Sequence, residues 1–132
     1  MIKVKLIPLQ THGDDRGSLV ALEEGYNIPF QIKRVYYVFN TKKGVMRGFH
    51  AHKNLKQVAI AVRGSCKFKL DNGTDSVEVL LNDPAQGLLI ESFIWREMYD
   101  FSEDCVLMVL ADSHYDENDY VRDYNAFLNL VA

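Results

Sequence analysis

Short runs of Val, Ile, Leu, Tyr and Phe recur along most of the chain, several of them alternating with polar positions. Segments 2–7, 18–23, 32–39, 57–63, 65–70, 76–81, 87–91 and 105–111 read as β-strands on this pattern. Turn signals separate them: Gly13-Asp14-Asp15, Gly25-Tyr26-Asn27, Lys43-Gly44, Arg63-Gly64, Asp71-Asn72-Gly73 and Asn82-Asp83-Pro84. Asp71-Asn72-Gly73 predicts a hairpin, because Asn-Gly supplies the positive φ angles that a tight connection needs. Within 32–39, Ile32, Arg34, Tyr36 and Val38 share one face, while Val35, Tyr37 and Phe39 share the other, more apolar face, which is the expected core side. Helical spacing is confined to the end of the chain, where Tyr120, Tyr124, Phe127, Leu128 and Val131 recur from Glu117 onward behind Asp116 as a candidate N-cap. The pattern predicts an all-β sandwich or small barrel whose one terminal helix covers a sheet face.

Length and charge narrow this picture. The 132 residues predict one domain, 1–132, with no linker or repeat, and 48% hydrophobic against 25% charged residues is an ordinary folded composition. With 15 Lys+Arg against 18 Asp+Glu and a formal charge of -3, no basic surface for nucleic acid is expected, although a few placed cations suffice for a small phosphorylated ligand. Cys66 and Cys105 lie inside apolar or alternating runs and read as reduced core thiols. The N-terminal alternation of Lys with Ile, Val and Leu is no signal sequence, and no apolar stretch approaches the ~20 residues that cross a bilayer. The expected location is therefore the cytoplasm, away from membranes.

The richest stretch is Gly44-Val45-Met46-Arg47-Gly48-Phe49-His50-Ala51-His52, followed by Gln57 and Gly64. Histidines at i and i+2 of a strand enter the same side together. The spacing of Gly44, His50, His52, Gln57 and Gly64 resembles the first cupin motif, and 91–96 maps onto the second. The resemblance implies a double-stranded β-helix jelly roll with a short C-terminal helix. Gln57 stands where a metal cupin carries Glu, and Arg96 where it carries its last His. Two imidazoles fall short of a catalytic metal's usual set, and a guanidinium is never a ligand, so no metal is expected and the histidines are free for proton transfer. Arg47 lies three before His50, on the opposite face of an ideal strand, and reaches the same side if Gly48 marks a bulge or the strand begins there. Two imidazoles on one pocket suit isomerisation or epimerisation beside a carbonyl.

Five stretches carry a closer likeness: Asp15-Arg16-Gly17-Ser18-Leu19, Ile32-Lys33-Arg34-Val35-Tyr36-Tyr37, Arg47 to Lys53, Trp95-Arg96-Glu97-Met98 and Tyr115 to Tyr120. Together they resemble the dTDP-4-keto-6-deoxyglucose 3,4-ketoisomerases, small dimeric cupins with exchanged N-terminal strands. The resemblance implies a dTDP-linked 4-keto-6-deoxy sugar as substrate, a homodimer, and no cofactor. It implies His50 as the base for the carbon-bound proton, His52 as a sugar-orienting group or second acid/base, and Tyr36, in preference to Tyr37, as carrier of the proton between O3 and O4. Arg47 is implied for the diphosphate, Arg16 for the partner subunit's nucleotide, and Arg34, Arg96 and Gln57 complete the substrate-binding set. Trp95 reads as core, Tyr115 and Tyr120 as packing residues, and His12 and His114 as solvated. A 3,5-epimerase, a metal-dependent oxygenase and a non-catalytic sugar-nucleotide-binding cupin are the rival readings.

Overall fold

In a computed structural model, which describes residues 2–132, the alternating segments pair into two five-stranded antiparallel sheets and a separate ribbon. The strands are β1 (Lys5–Pro8), β2 (Thr11–Asp14), β3 (Gly17–Val20), β4 (Arg34–Val38), β5 (Arg47–His52) and β6 (Gln57–Arg63) in the first half of the chain. The second half adds β7 (Cys66–Asp71), β8 (Ser76–Leu81), β9 (Gln86–Ile90), β10 (Trp95–Tyr99), β11 (Val106–Ala111) and β12 (Tyr120–Val121), before helix α1 (Tyr124–Val131). One sheet runs β1-β9-β6-β11-β4, the other β12-β5-β10-β7-β8, and β2 pairs only with β3. This is the expected jelly roll with its short terminal helix. The β7–β8 hairpin turns where Asn-Gly predicts, with Gly73 at φ 94° and its amide donating to Asp71 Oδ1 at 2.7 Å.

The sheets face each other across an apolar core. Ala59 and Ala61 of β6, Phe68 and Leu70 of β7, Leu88 and Ile90 of β9, and Leu107 and Val109 of β11 project into it at alternate positions. Cys66 and Cys105 are free and buried in the same core. A second cluster covers the outer side of the first sheet, where Val58, Ile60 and Leu110 meet Leu9 and Ile28. A third, of Ala51, Trp95, Val121 and Phe127, fastens α1 to the outside of β5 and β10. Ala51 thus points toward the helix, while its neighbours His50 and His52 point the other way.

Three expectations are corrected. The helix does not begin at Glu117: Asp116 caps a 3-10 turn over Glu117–Asp119, Tyr120 and Val121 pair with His52 and Ala51, and Asp123 caps α1. Strand pairing outcompetes helical spacing there because β5 offers an open edge. The strand β10 went unpredicted because Trp95 packs outward on α1 while Arg96 faces in, which erases the polar alternation. The sides of β4 are also reversed: Val35, Tyr37 and Phe39 are 51%, 61% and 55% exposed, whereas Tyr36 and Val38 pack against the inter-sheet core. The inner end of the sandwich is polar, and a polar cavity inverts the usual meaning of an amphipathic strand.

Candidate active site

A cleft of about 510 Å³ opens at the polar end, with Tyr36, Arg47, His50, Met98, Tyr120 and Arg122 in its wall. Arg47 reaches the same cleft as His50 through a bulge. Arg96 pairs with His50 and Glu97 with Gly48, so Phe49 is the extra residue; Gly48 and Phe49 take φ of 90° and 59°. The condition set by the sequence for Arg47 is therefore met.

Behind the wall lies a layer of buried polar side chains: His52, Gln57 and Arg96 are 1%, 3% and 2% exposed. The His50 and His52 rings lie nearly perpendicular, 4.9 Å between centroids, and Tyr120 packs on both imidazoles. His52 Nδ1 lies 3.0 Å from Asp119 Oδ2, whose other oxygen accepts from the Asn54 amide at 2.7 Å. Arg96 donates to Gln57 Oε1 and to the Ile94 carbonyl at 3.0 Å. Gln57 Nε2 in turn donates to the Tyr36 hydroxyl at 3.3 Å. Four buried nitrogens in this region, Arg34 Nε, His50 Nδ1, His52 Nε2 and Arg96 Nε, have no protein partner, in a fold where almost every buried polar atom finds one. That many orphaned nitrogens belong to a binding site rather than to a core.

The charges act in one direction. Burial first, and then the Arg96 guanidinium, push the His50 imidazole down to about 4, so it is a neutral base at pH 7. The same causes in the same order hold His52 well below the ordinary imidazole range. Burial raises the Tyr36 phenol, against the opposing pull of Arg96 and the Gln57 hydrogen bond, and keeps it protonated. Burial also lowers Arg96, to about 10, which leaves it cationic. At the cleft mouth Arg122 lies 4.1 Å from the Tyr120 ring centroid and is held by Glu117 at 2.8 and 2.9 Å, while Tyr115 also donates to Glu117. Arg34 sits between the rings of Tyr36 and Tyr115, at 5.5 and 5.7 Å.

Of the residues singled out in the sequence, Tyr36, Arg47 and His50 share the cleft wall, Arg34 adjoins it, and His52, Gln57 and Arg96 stand behind it. Arg16 is apart from them, on the β2–β3 turn, with its side chain 86% exposed and bound to Asp14. Trp95 is core, 3% exposed, as expected, and His12 and His114 are exposed. Tyr115 and Tyr120 are not packing residues alone: both line the cleft. Sequence reading missed Asp119 and Arg122. Asp119 looked like one carboxylate of a solvated acidic loop, and no local pattern signals a partner 67 positions away. Among the described residues no group of three or more His, Cys, Asp or Glu is placed to hold a metal ion.

The chain is similar to known proteins along nearly its whole length. The family model described as FdtA (WxcM-like, C-terminal) matches residues 2–132. A TDP-4-oxo-6-deoxy-alpha-D-glucose-3,4-oxoisomerase from Aneurinibacillus thermoaerophilus is 53% identical over 128 residues, 97% of this chain and 92% of that one. A 3,4-ketoisomerase from Helicobacter canadensis superimposes with a TM-score of 0.95 at 46% identity, covering 99% of this chain and 98% of its own. A variant of the 3,4-ketoisomerase of Thermoanaerobacterium thermosaccharolyticum, solved with TDP-4-keto-6-deoxyglucose, gives 0.96 at 43% identity, covering 99% and 95%. A 4-keto-6-deoxy sugar epimerase from Streptomyces spheroides shares the fold alone, at 16% identity and a TM-score of 0.74 over 89% of this chain and 67% of that one. With a match along the whole described chain and a relative more than half identical, this chain belongs to the FdtA family of cupin-fold sugar 3,4-ketoisomerases.

Proposed function

We propose that the protein converts dTDP-4-keto-6-deoxy-D-glucose into a dTDP-3-keto-6-deoxyhexose, as an isomerase whose activity resides in the one unit 1–132. The observation that carries this reading is the convergence of a neutral imidazole, a protonated phenol and a guanidinium on one cleft, His50, Tyr36 and Arg47, in a chain of this family. His50 takes the proton from C3, and the released electron pair forms the C3–C4 double bond while O4 takes the Tyr36 proton. Tyr36 then receives the O3 proton, the O3–H pair becomes the C3 carbonyl, and protonated His50 delivers its proton to C4. Atoms and electrons balance within the sugar, so the reaction requires no external redox partner. Arg96 and Arg34, cations near Tyr36, favour electrostatically the phenolate that forms when its proton leaves. Arg47 offers the diphosphate a bidentate fork.

Reaction in deuterated water tests the chemistry: a 3-keto product is expected, with deuterium at C4 to the extent that the proton on His50 exchanges with solvent before its delivery. Deuterium at C5 with the C4 ketone retained identifies a 3,5-epimerase instead, and TDP binding without turnover identifies a binding protein.

The working unit is a homodimer with exchanged N-terminal strands. Two exposed features support it: the apolar row of Val35 and Tyr37 on the edge strand β4 with Phe39 just beyond it, and the β2–β3 ribbon, with Leu19 59% exposed and Arg16 at its turn. A ribbon of two strands has little stability alone, and packing on a second copy supplies what it lacks and carries Arg16 toward the partner's nucleotide. Sedimentation should give twice the mass of one chain, and Tyr37→Glu should shift it toward one; a wild-type chain that sediments as a monomer overturns the assignment. The setting is the cytoplasm, supported by two buried thiols that a reducing compartment keeps free. Among the described residues, no helix is long and apolar enough to cross a membrane. Cell fractionation that finds the protein outside the cytoplasm overturns this location.

A further inference from the structure

The buried pair behind Tyr36 fixes the direction of its hydroxyl. A guanidinium has N–H donors and no acceptor, so the Gln57 atom that faces Arg96 Nη1 must be the carbonyl oxygen. The reversed amide would set NH2 against a guanidinium where both side chains are buried, leaving those facing donors unpaired. Gln57 Nε2 is therefore the atom 3.3 Å from the Tyr36 oxygen, and it is a donor. A phenol oxygen that accepts from one side cannot send its own hydrogen to that same atom. Its hydrogen has to leave in another direction, and the Tyr36 side chain lines the cleft that His50 and Arg47 share.

We propose that Gln57 is a positioning residue for the reaction: oriented by Arg96, it donates to Tyr36 and so turns the phenolic hydrogen toward the sugar oxygens. This rests on the reading of Tyr36 as the carrier between O3 and O4. The arrangement serves both halves of that task. Before the first transfer the hydrogen already points at its acceptor, and after it the Gln57 N–H still faces the phenolate oxygen and stabilises it until the O3 proton arrives. A glutamate at 57 would do neither. It would accept from Arg96 as a buried ion pair and accept again from Tyr36, drawing the hydrogen away from the cleft. The amide is thus suited to a phenolic carrier in a way that the acid is not.

Gln57→Glu is the direct test, because it preserves length and leaves Arg96 a partner. The expected result is a folded protein whose TDP dissociation constant moves less than about twofold and whose kcat falls about 100-fold, with KM little changed. In a Tyr36→Phe background the same substitution should cost less than about twofold, since a residue acting only through Tyr36 has nothing left to position. Unchanged kcat in Gln57→Glu, or losses that multiply in the double variant, overturns the proposal. Full turnover by Tyr36→Phe alone overturns the reading of Tyr36 and is visible separately. Neutron diffraction from deuterated wild-type crystals reads the same hydrogen without a substitution. A Tyr36 deuteron directed into the cleft supports the relay, and one lying on the line to Gln57 overturns it.

Discussion

His50→Asn should lower kcat by about 10³-fold or more while leaving TDP affinity within about twofold, since a positioned general base contributes about 10²–10⁴-fold and in the proposed reaction one group acts as base and then as acid. Asparagine keeps a polar side chain in the cleft but cannot take a proton. Nothing in the wild type replaces it: His52 is 1% exposed and its Nδ1 is committed to Asp119, while Tyr36 is held protonated by burial. The variant also tests the electrostatics. Burial, then Arg96, hold the folded-state imidazole at about 4, below its unfolded value near 6.5. In that interval the unfolded chain binds the proton and the folded one does not, so stability falls as pH is lowered from about 6.5 toward 4. Above that window the two states carry the same imidazole charge, and the contribution is flat. Melting midpoints across pH should therefore slope less in His50→Asn than in the wild type, in parallel with the loss of turnover. A variant that melts with an unchanged slope and turns over at the wild-type rate removes His50 from both roles.

The parts of this site legible in the sequence are those in which local spacing carries the information. His50-Ala51-His52 announces two imidazoles on one strand face and a small residue on the other, and Ala51 does sit against Trp95 and Phe127 beneath α1. Gly48 marks the position at which a bulge brings Arg47 round. What local spacing cannot carry is a partner that arrives from elsewhere in the chain. Asp119 meets His52 because β12 pairs with β5, and the helical spacing of Tyr120, Tyr124 and Phe127 points to a different structure for that segment. β4 fails for another reason. Its apolar row faces outward and its Arg34 and Tyr36 face inward, the reverse of an ordinary half-buried strand, because the interior at that end is a polar cleft and the exterior is the surface proposed for a second subunit. Sequence amphipathicity reports which side is drier, and in an assembly that need not be the inside of one chain.

Gly48→Ala should cost more than any other single-methyl addition to the cleft wall, in stability and in nucleotide affinity together. The backbone there has φ 90°, a region costly for a residue with a Cβ, and an added Cβ would lie 2.8 Å from the Arg96 carbonyl oxygen and 3.3 Å from Glu97 Cα. Both are backbone atoms of β10, paired on its far side to β7, so they cannot swing aside as a side chain end can. Met98 Sδ, at 3.0 Å, is the one neighbour that can yield. Strain in φ and overpacking against a strand each cost about 1–3 kcal/mol, which predicts a loss of about 3 kcal/mol and a melting midpoint lower by about 10 °C. The chain can relieve the clash only by straightening the bulge, and a straight β5 places Arg47 on the face opposite His50. Loss of the fork proposed between Arg47 and the diphosphate should then weaken TDP binding about tenfold, roughly 1.4 kcal/mol of a charge-assisted contact. Gly44→Ala is the matched control, since Gly44 also has a positive φ, 81°, with nothing within 4 Å of an added Cβ. It should lose about 1 kcal/mol through φ alone and bind TDP as the wild type does. If calorimetry and TDP titration cannot tell Gly48→Ala from Gly44→Ala, the bulge is not what brings Arg47 and His50 to one cleft.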